Sequence, residues 1–125
     1  MKEIISTVDA PAAIGPYSQA TVHNGIIYCS GQIPLNPLTM EIVGEDVTTQ
    51  AKQVMENLKK VLEAADSGFS KVLKCTIFLD SMDDFSAVNE VYGVFFKENA
   101  PARETVAVQT LPKNVLVEIS CIAYR

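Results

Sequence analysis

Val115-Leu116-Val117-Glu118-Ile119-Ser120-Cys121-Ile122-Ala123-Tyr124 is the stretch on which the fold turns. Its composition and its period of two mark a strand. Val115, Val117, Ile119, Cys121 and Ala123 point one way, and Leu116, Glu118, Ser120, Ile122 and Tyr124 the other. Both sets are largely apolar. One carboxylate, Glu118, interrupts the second set, and the chain's only interior arginine, Arg103, lies shortly upstream. A buried carboxylate loses solvation and needs a partner. Either Arg103 neutralises it for structural reasons, or both groups face a pocket that handles a charged small molecule.

Upstream, the pattern gives strands over Lys2–Thr7, Ala20–His23 and Ile26–Ser30, the last two joined by Asn24-Gly25, a strong hairpin signal. Gly15-Pro16-Tyr17-Ser18 forms an irregular loop. Val47, Ala51, Val54, Met55, Leu58, Val61, Leu62 and Ala65 recur at helical spacing over Asp46–Ala65, with Gly68 as the stop. Lys71–Asp80 reads as a strand, and a second helix begins near Asp83 with Phe85, Val88, Tyr92, Phe95 and Phe96 on one face. Glu104–Gln109 and Val115–Tyr124 are expected to pair as a hairpin around Leu111-Pro112-Lys113-Asn114. The order ββ(β)αβαββ predicts an α+β domain spanning residues 1–125, a mixed sheet with two helices on one face. Two helices cover only one face, so the other apolar face is expected to pack against further copies of the chain.

A chain of 125 residues builds one core without disulfides or metal. An apolar fraction of 48% against 20% charged residues excludes disorder. The net charge of −5 and the absence of a basic run argue against nucleic acid, with Lys59-Lys60 the densest basic spot. Cys29, Cys75 and Cys121 are odd in number and widely spaced, which fits buried thiols rather than a disulfide framework or a metal cluster. No apolar run approaches the roughly 18 residues of a membrane span, and no leader is evident. A cytoplasmic protein without cofactor or metal is expected.

If the last hairpin closes at Pro112-Lys113, Ala107 lies opposite Glu118 and Thr105 opposite Ser120. Arg103, Thr105 and Ala107 then share the Glu118 face. Arg103 stands about 13 Å along the strand from Ala107, at about 3.3 Å per residue, too far for a tight ion pair and wide enough for a small anion and a water. A guanidinium presents two parallel donors to a carboxylate. A glutamate beside water can act as general base or acid. With no metal site, activated nucleophile or phosphate loop in the sequence, the pair suggests addition of water to a small carboxylate-bearing electrophile.

Pro101-Ala102-Arg103, Leu111-Pro112-Lys113, Val117-Glu118-Ile119, Gly15-Pro16-Tyr17-Ser18, Ser30-Gly31-Gln32-Ile33-Pro34 and Asn89-Glu90-Val91-Tyr92 resemble, in order and register, the RidA (YjgF) family of reactive enamine/imine deaminases. The match runs from near residue 10 to the C-terminus. The resemblance implies a chorismate-mutase-like α+β subunit and a barrel-like homotrimer with sites in the clefts between subunits. It implies cofactor-independent hydrolysis of 2-imino acids, formed from 2-aminoacrylate or 2-aminocrotonate, to 2-oxo acids and ammonia. By resemblance Arg103 binds the substrate carboxylate, the Thr105 backbone N–H adds a donor, Glu118 holds the attacking water and Tyr17 closes over the substrate. Ser30 and Asn89 line the cleft from a neighbouring subunit. Glu104, Thr105 and Gln109 depart from the family pattern, and Glu104 bears most on substrate preference.

Plainer roles stand beside these. Tyr17 can pack a loop, Ser30 can satisfy a turn backbone, Asn89 can pair with any neighbour, and His23 is an exposed hairpin residue. Two other functions compete: a non-catalytic 2-oxo acid-binding regulatory or chaperone-like trimer, and an endoribonuclease, which the acidic charge and single histidine disfavour.

Overall fold

The computed structural model describes residues 1–125. Its six strands are β1 (Glu3–Ile5), β2 (Ala20–His23), β3 (Ile26–Gln32), β4 (Val72–Leu79), β5 (Ala102–Ala107) and β6 (Val117–Tyr124), and its helices are α1 (Val47–Ala64) and α2 (Phe85–Phe95). The strands form one sheet in the order β1-β2-β3-β6-β4-β5. Only β4 and β5 run parallel; every other pairing is antiparallel. The α+β class, the mixed sheet and the two helices match expectation.

Local chemistry sets the element ends. Asn24 and Gly25 both take positive φ, as the two-residue turn between twisted strands requires. Asp46 caps α1, its carboxylate accepting the Thr49 N–H at 3.0 Å. The helix stops earlier than Gly68: Asp66 takes the left-handed conformation, and the Ser67 N–H reaches back to the Leu62 carbonyl at 2.9 Å. A single tight turn, Met82–Asp84, precedes α2. The helical stripe of α1 packs with Ile27, Cys75, Ile77, Leu79, Val117, Ile119 and Ala123 in one buried cluster. Cys29, Cys121 and Cys75 stand side by side on β3, β6 and β4, all buried and unbonded, as the sequence suggests.

The last hairpin does not exist. β5 pairs in parallel with β4, with Ile77 opposite Thr105, and β6 inserts between β3 and β4, with Phe78 opposite Glu118 and Thr76 opposite Ser120. The intervening chain folds over the end of β4, where the Val108 N–H bonds the Leu79 carbonyl and the Asp80 N–H bonds the Leu116 carbonyl. Alternation defines each strand but not its neighbour, and β6, apolar on both sides, gains two partners by inserting centrally. Arg103 therefore shares its row with Cys75 and Cys121 on the helix-covered face. Glu118 shares the other face with Phe78. The expectation that Arg103, Thr105 and Ala107 lie on the Glu118 face is overturned, because one strand stands between the two elements and fixes the opposite parity.

The second face carries no helix. Tyr28 is 50% exposed, Val106 48% and Tyr124 41%. Edge strand β5 is largely exposed along its length. No helix is long and apolar enough to cross a membrane.

Candidate functional site

Two separate constellations contain the residues singled out in the sequence. The first lies where α2 passes the edge of the sheet. Arg103 projects from β5 with its guanidinium carbon 5.5 Å from the Phe85 ring centroid and 5.1 Å from that of Tyr92. Its Nη1 donates to the Asn89 side-chain oxygen. It makes no ion pair, although Lys74 on the neighbouring strand does, with Glu104 at 2.7 Å. An aromatic pair and an amide thus hold a guanidinium whose remaining donors are free. Thr105 follows on the same face, its hydroxyl buried without a hydrogen-bond partner. The Tyr92 hydroxyl is also buried and unpartnered, and burial raises its pKa. Asn89 is exposed, and its partner is Arg103.

The second constellation is a cleft of about 600 Å³ on the far side of the sheet, lined among others by Tyr17, Ser30, Gly31, Lys113 and Glu118. Ile14, Ile33, Leu35 and Met40 supply an apolar wall. Glu118 is half-buried and has neither a hydrogen bond nor an ion pair. Its pKa lies above the ordinary carboxylate range because burial disfavours the charged form. Tyr17 is 53% exposed on a loop where Gly15 takes a φ of 120° and the Tyr17 N–H bonds the Gly15 carbonyl. Ser30 donates its hydroxyl to the Ser18 carbonyl at 2.6 Å, tying that loop to β3. Ser30 thus has the plain turn role and a place in the cleft wall.

The structure therefore brings Arg103, Asn89 and Thr105 together, and Glu118, Tyr17 and Ser30 together, but it does not join the two groups within one chain. The shared crevice of one subunit is excluded by strand parity. Each group carries an unmatched charge: a cation without an anion, and an acid without a base.

Three buried amides that sequence reasoning missed brace the chain, two of them beside the cleft. Asn57 on α1 donates to the carbonyls of Ile33 at 3.2 Å and Leu35 at 2.9 Å. Gln19 accepts the Thr7 N–H at 2.7 Å and donates to the Pro11 carbonyl at 2.8 Å. Gln50 donates to the Gly44 carbonyl at 3.1 Å and accepts the Leu116 N–H at 2.8 Å. Asn57 was legible as a polar residue at the spacing of Val54, Leu58 and Val61.

Residues 7–125 match the family model described as Endoribonuclease L-PSP. The chain belongs to that family, the one the motifs resemble, which includes RidA and YjgF. A RutC family protein of Synechocystis is 54% identical over 123 residues, spanning 97% of this chain and 95% of the relative. Human 2-iminobutanoate/2-iminopropanoate deaminase is 43% identical over 123 residues, spanning 98% and 90%. The crystal structure of Escherichia coli TdcF with bound serine superposes with a TM-score of 0.94 at 42% identity, covering 98% of each chain. RidA-family proteins of differing names thus share this subunit fold.

Proposed function

We propose that this RidA-family chain hydrolyses 2-imino acids to 2-oxo acids and ammonia, at a site completed when Arg103 of one copy meets the Glu118 cleft of another. The observation that carries the reading is the unmatched pair: a held guanidinium without an anion and a desolvated carboxyl without a cation, on opposite faces of one sheet. A homotrimer, assembled through the exposed Tyr28, Val106 and Tyr124 face and the free β5 edge, supplies the missing half to each site. The human deaminase and the serine bound to TdcF both support a ligand carrying a carboxylate next to nitrogen.

In this reading the chemistry needs no group beyond the chain and water. Arg103, oriented by Asn89, receives the substrate carboxylate through two parallel donors, with the Thr105 N–H as a third. Anchoring there fixes the imine carbon. Glu118 takes a proton from water as the water oxygen bonds that carbon and passes it to nitrogen, giving a carbinolamine. It then takes the carbinolamine hydroxyl proton and delivers it to nitrogen as the C=O forms and the carbon–nitrogen bond breaks. Water adds, ammonia leaves and the 2-oxo acid remains. Burial raises the Glu118 pKa, which strengthens its carboxylate as a proton acceptor. Tyr17 covers the substrate, Ser30 holds its loop, and the enclosed water replaces a diffusional encounter. The acidic chain and the absence of a basic run favour a small acid over the RNA substrate that the family description names.

The test adds the purified protein to a threonine or serine dehydratase reaction and times 2-oxo acid release. The reading predicts faster release at catalytic amounts. An unchanged rate at stoichiometric amounts, with tight 2-oxo acid binding, would replace catalysis with a ligand-binding role.

A further inference from the structure

Gly31 occupies a position in β3 where a glycine has no backbone reason to be. Its φ lies outside the left-handed region, unlike Gly15, Gly25 and Gly44, so its conformation is open to any residue. It is also exposed rather than packed in the core. The three atoms nearest to where a side chain would begin all belong to Glu118. A Cβ built on Gly31 would lie 2.8 Å from Glu118 Cδ and 3.0 Å from Glu118 Cγ, and closer still to Oε2. Carbon atoms in contact normally stand about 3.5–4.0 Å apart. The Glu118 carboxyl therefore rests directly over the Gly31 Cα. The local pairing makes this contact possible: the register between β3 and β6 slips between Cys29 and Gln32, and a bulge of this kind re-aims side chains beside it.

We infer that Gly31 is a positioning residue for Glu118: its missing side chain is the space in which the carboxyl settles over the cleft, and any larger residue turns that carboxyl away. The inference rests on the reading of Glu118 as the proton-transferring group, and it adds a residue that touches the acid rather than the reaction. A glycine weakens a strand, so a strand glycine with unremarkable φ and one colliding neighbour is accounted for by that neighbour.

The experiment compares the full chain with Gly31→Ala, Glu118→Ala and the double variant. It follows melting temperature, oligomeric state, the Glu118 carboxyl titration by carbon-13 NMR, and kcat and KM for imine hydrolysis. Gly31→Ala is expected to fold and assemble normally. Its kcat should fall on the order of 10²-fold, the scale of an ångström misplacement, while KM, governed by Arg103, stays near wild type. The Glu118 titration should move down towards the ordinary carboxylate range as the group swings into water. In the Glu118→Ala background, adding Gly31→Ala should leave the residual rate unchanged and should not lower the melting temperature. A Gly31→Ala protein that fails to fold while the double variant folds would support the same collision. An unmoved Glu118 titration, or a further loss in the Glu118→Ala background, would overturn the inference. A moved titration with unchanged kcat would leave the contact standing and refute the catalytic reading of Glu118 instead.

Discussion

Replacing Arg103 with alanine separates the cost to the fold from the cost to the ligand. In the free subunit the guanidinium touches Phe85 and Tyr92 at 5.5 Å and 5.1 Å and bonds Asn89. Exposed cation–π contacts are worth about 0.5–1 kcal/mol each, so the two together contribute about 1–2 kcal/mol. A domain of this size tolerates that loss within a total stability of about 5–15 kcal/mol. The ligand loses more. Two charge-assisted bonds to a carboxylate are worth about 1.5–3 kcal/mol each, about 3–6 kcal/mol in all, which is roughly 10²–10⁴-fold in affinity. Calorimetric titration with a 2-oxo acid, beside circular dichroism and urea unfolding, reads both quantities. The expected result is a folded variant with binding weakened at least a hundredfold. A folded Arg103→Ala protein that binds 2-oxo acids within about threefold of wild type would refute the assignment of the carboxylate to Arg103.

Other expectations follow from Glu118 and Asn57. Because burial raises the Glu118 pKa, the native state holds that proton more tightly than the unfolded chain. The stability so gained is present below the ordinary value of 4.5 and lost as pH rises through the higher native value. Glu118→Gln, which does not ionise, should melt above wild type near neutral pH, with the gap closing towards about pH 4, while kcat falls by about 10²–10⁴-fold. A gap that fails to grow with pH would contradict the burial argument. Asn57→Leu leaves the Ile33 and Leu35 carbonyls without their donor, at about 1–3 kcal/mol each, and should lower both urea stability and imine turnover. A loss below about 1 kcal/mol would show that the cleft wall holds without it.

The elements were legible because each has a local cause. Asn24-Gly25 dictates its turn, Asp46 its helix start, and the Val47–Ala65 stripe its buried face. Strand partnership was not legible. β5 and β6 look like a hairpin because Pro112-Lys113-Asn114 is turn chemistry, yet that turn carries the chain across β4 to a different neighbour. One misplaced partner reversed the face of Arg103 and with it the apparent union of Arg103 and Glu118. The grouping of the site residues was not legible: the sequence reading set Ser30 and Asn89 together, apart from Arg103 and Glu118, whereas the structure places Ser30 with Tyr17 and Glu118 in one cleft and Asn89 on Arg103. Their separation by a whole sheet is a tertiary fact that no periodicity contains. In the proposed assembly, the exposed apolar face that suggested self-association from the sequence is the surface through which the halves would be reunited.

The division of the site between copies has a direct test. Arg103→Ala and Glu118→Ala chains are purified separately, mixed in equal amounts, dissociated and reassembled. If each site takes its arginine from one subunit and its acid from the next, random assembly gives about one site in four an intact pair, since each neighbour is correct half the time. The account predicts that two inactive parents yield about a quarter of wild-type imine hydrolysis after mixing. Activity that stays at the parental level in confirmed mixed oligomers would contradict it.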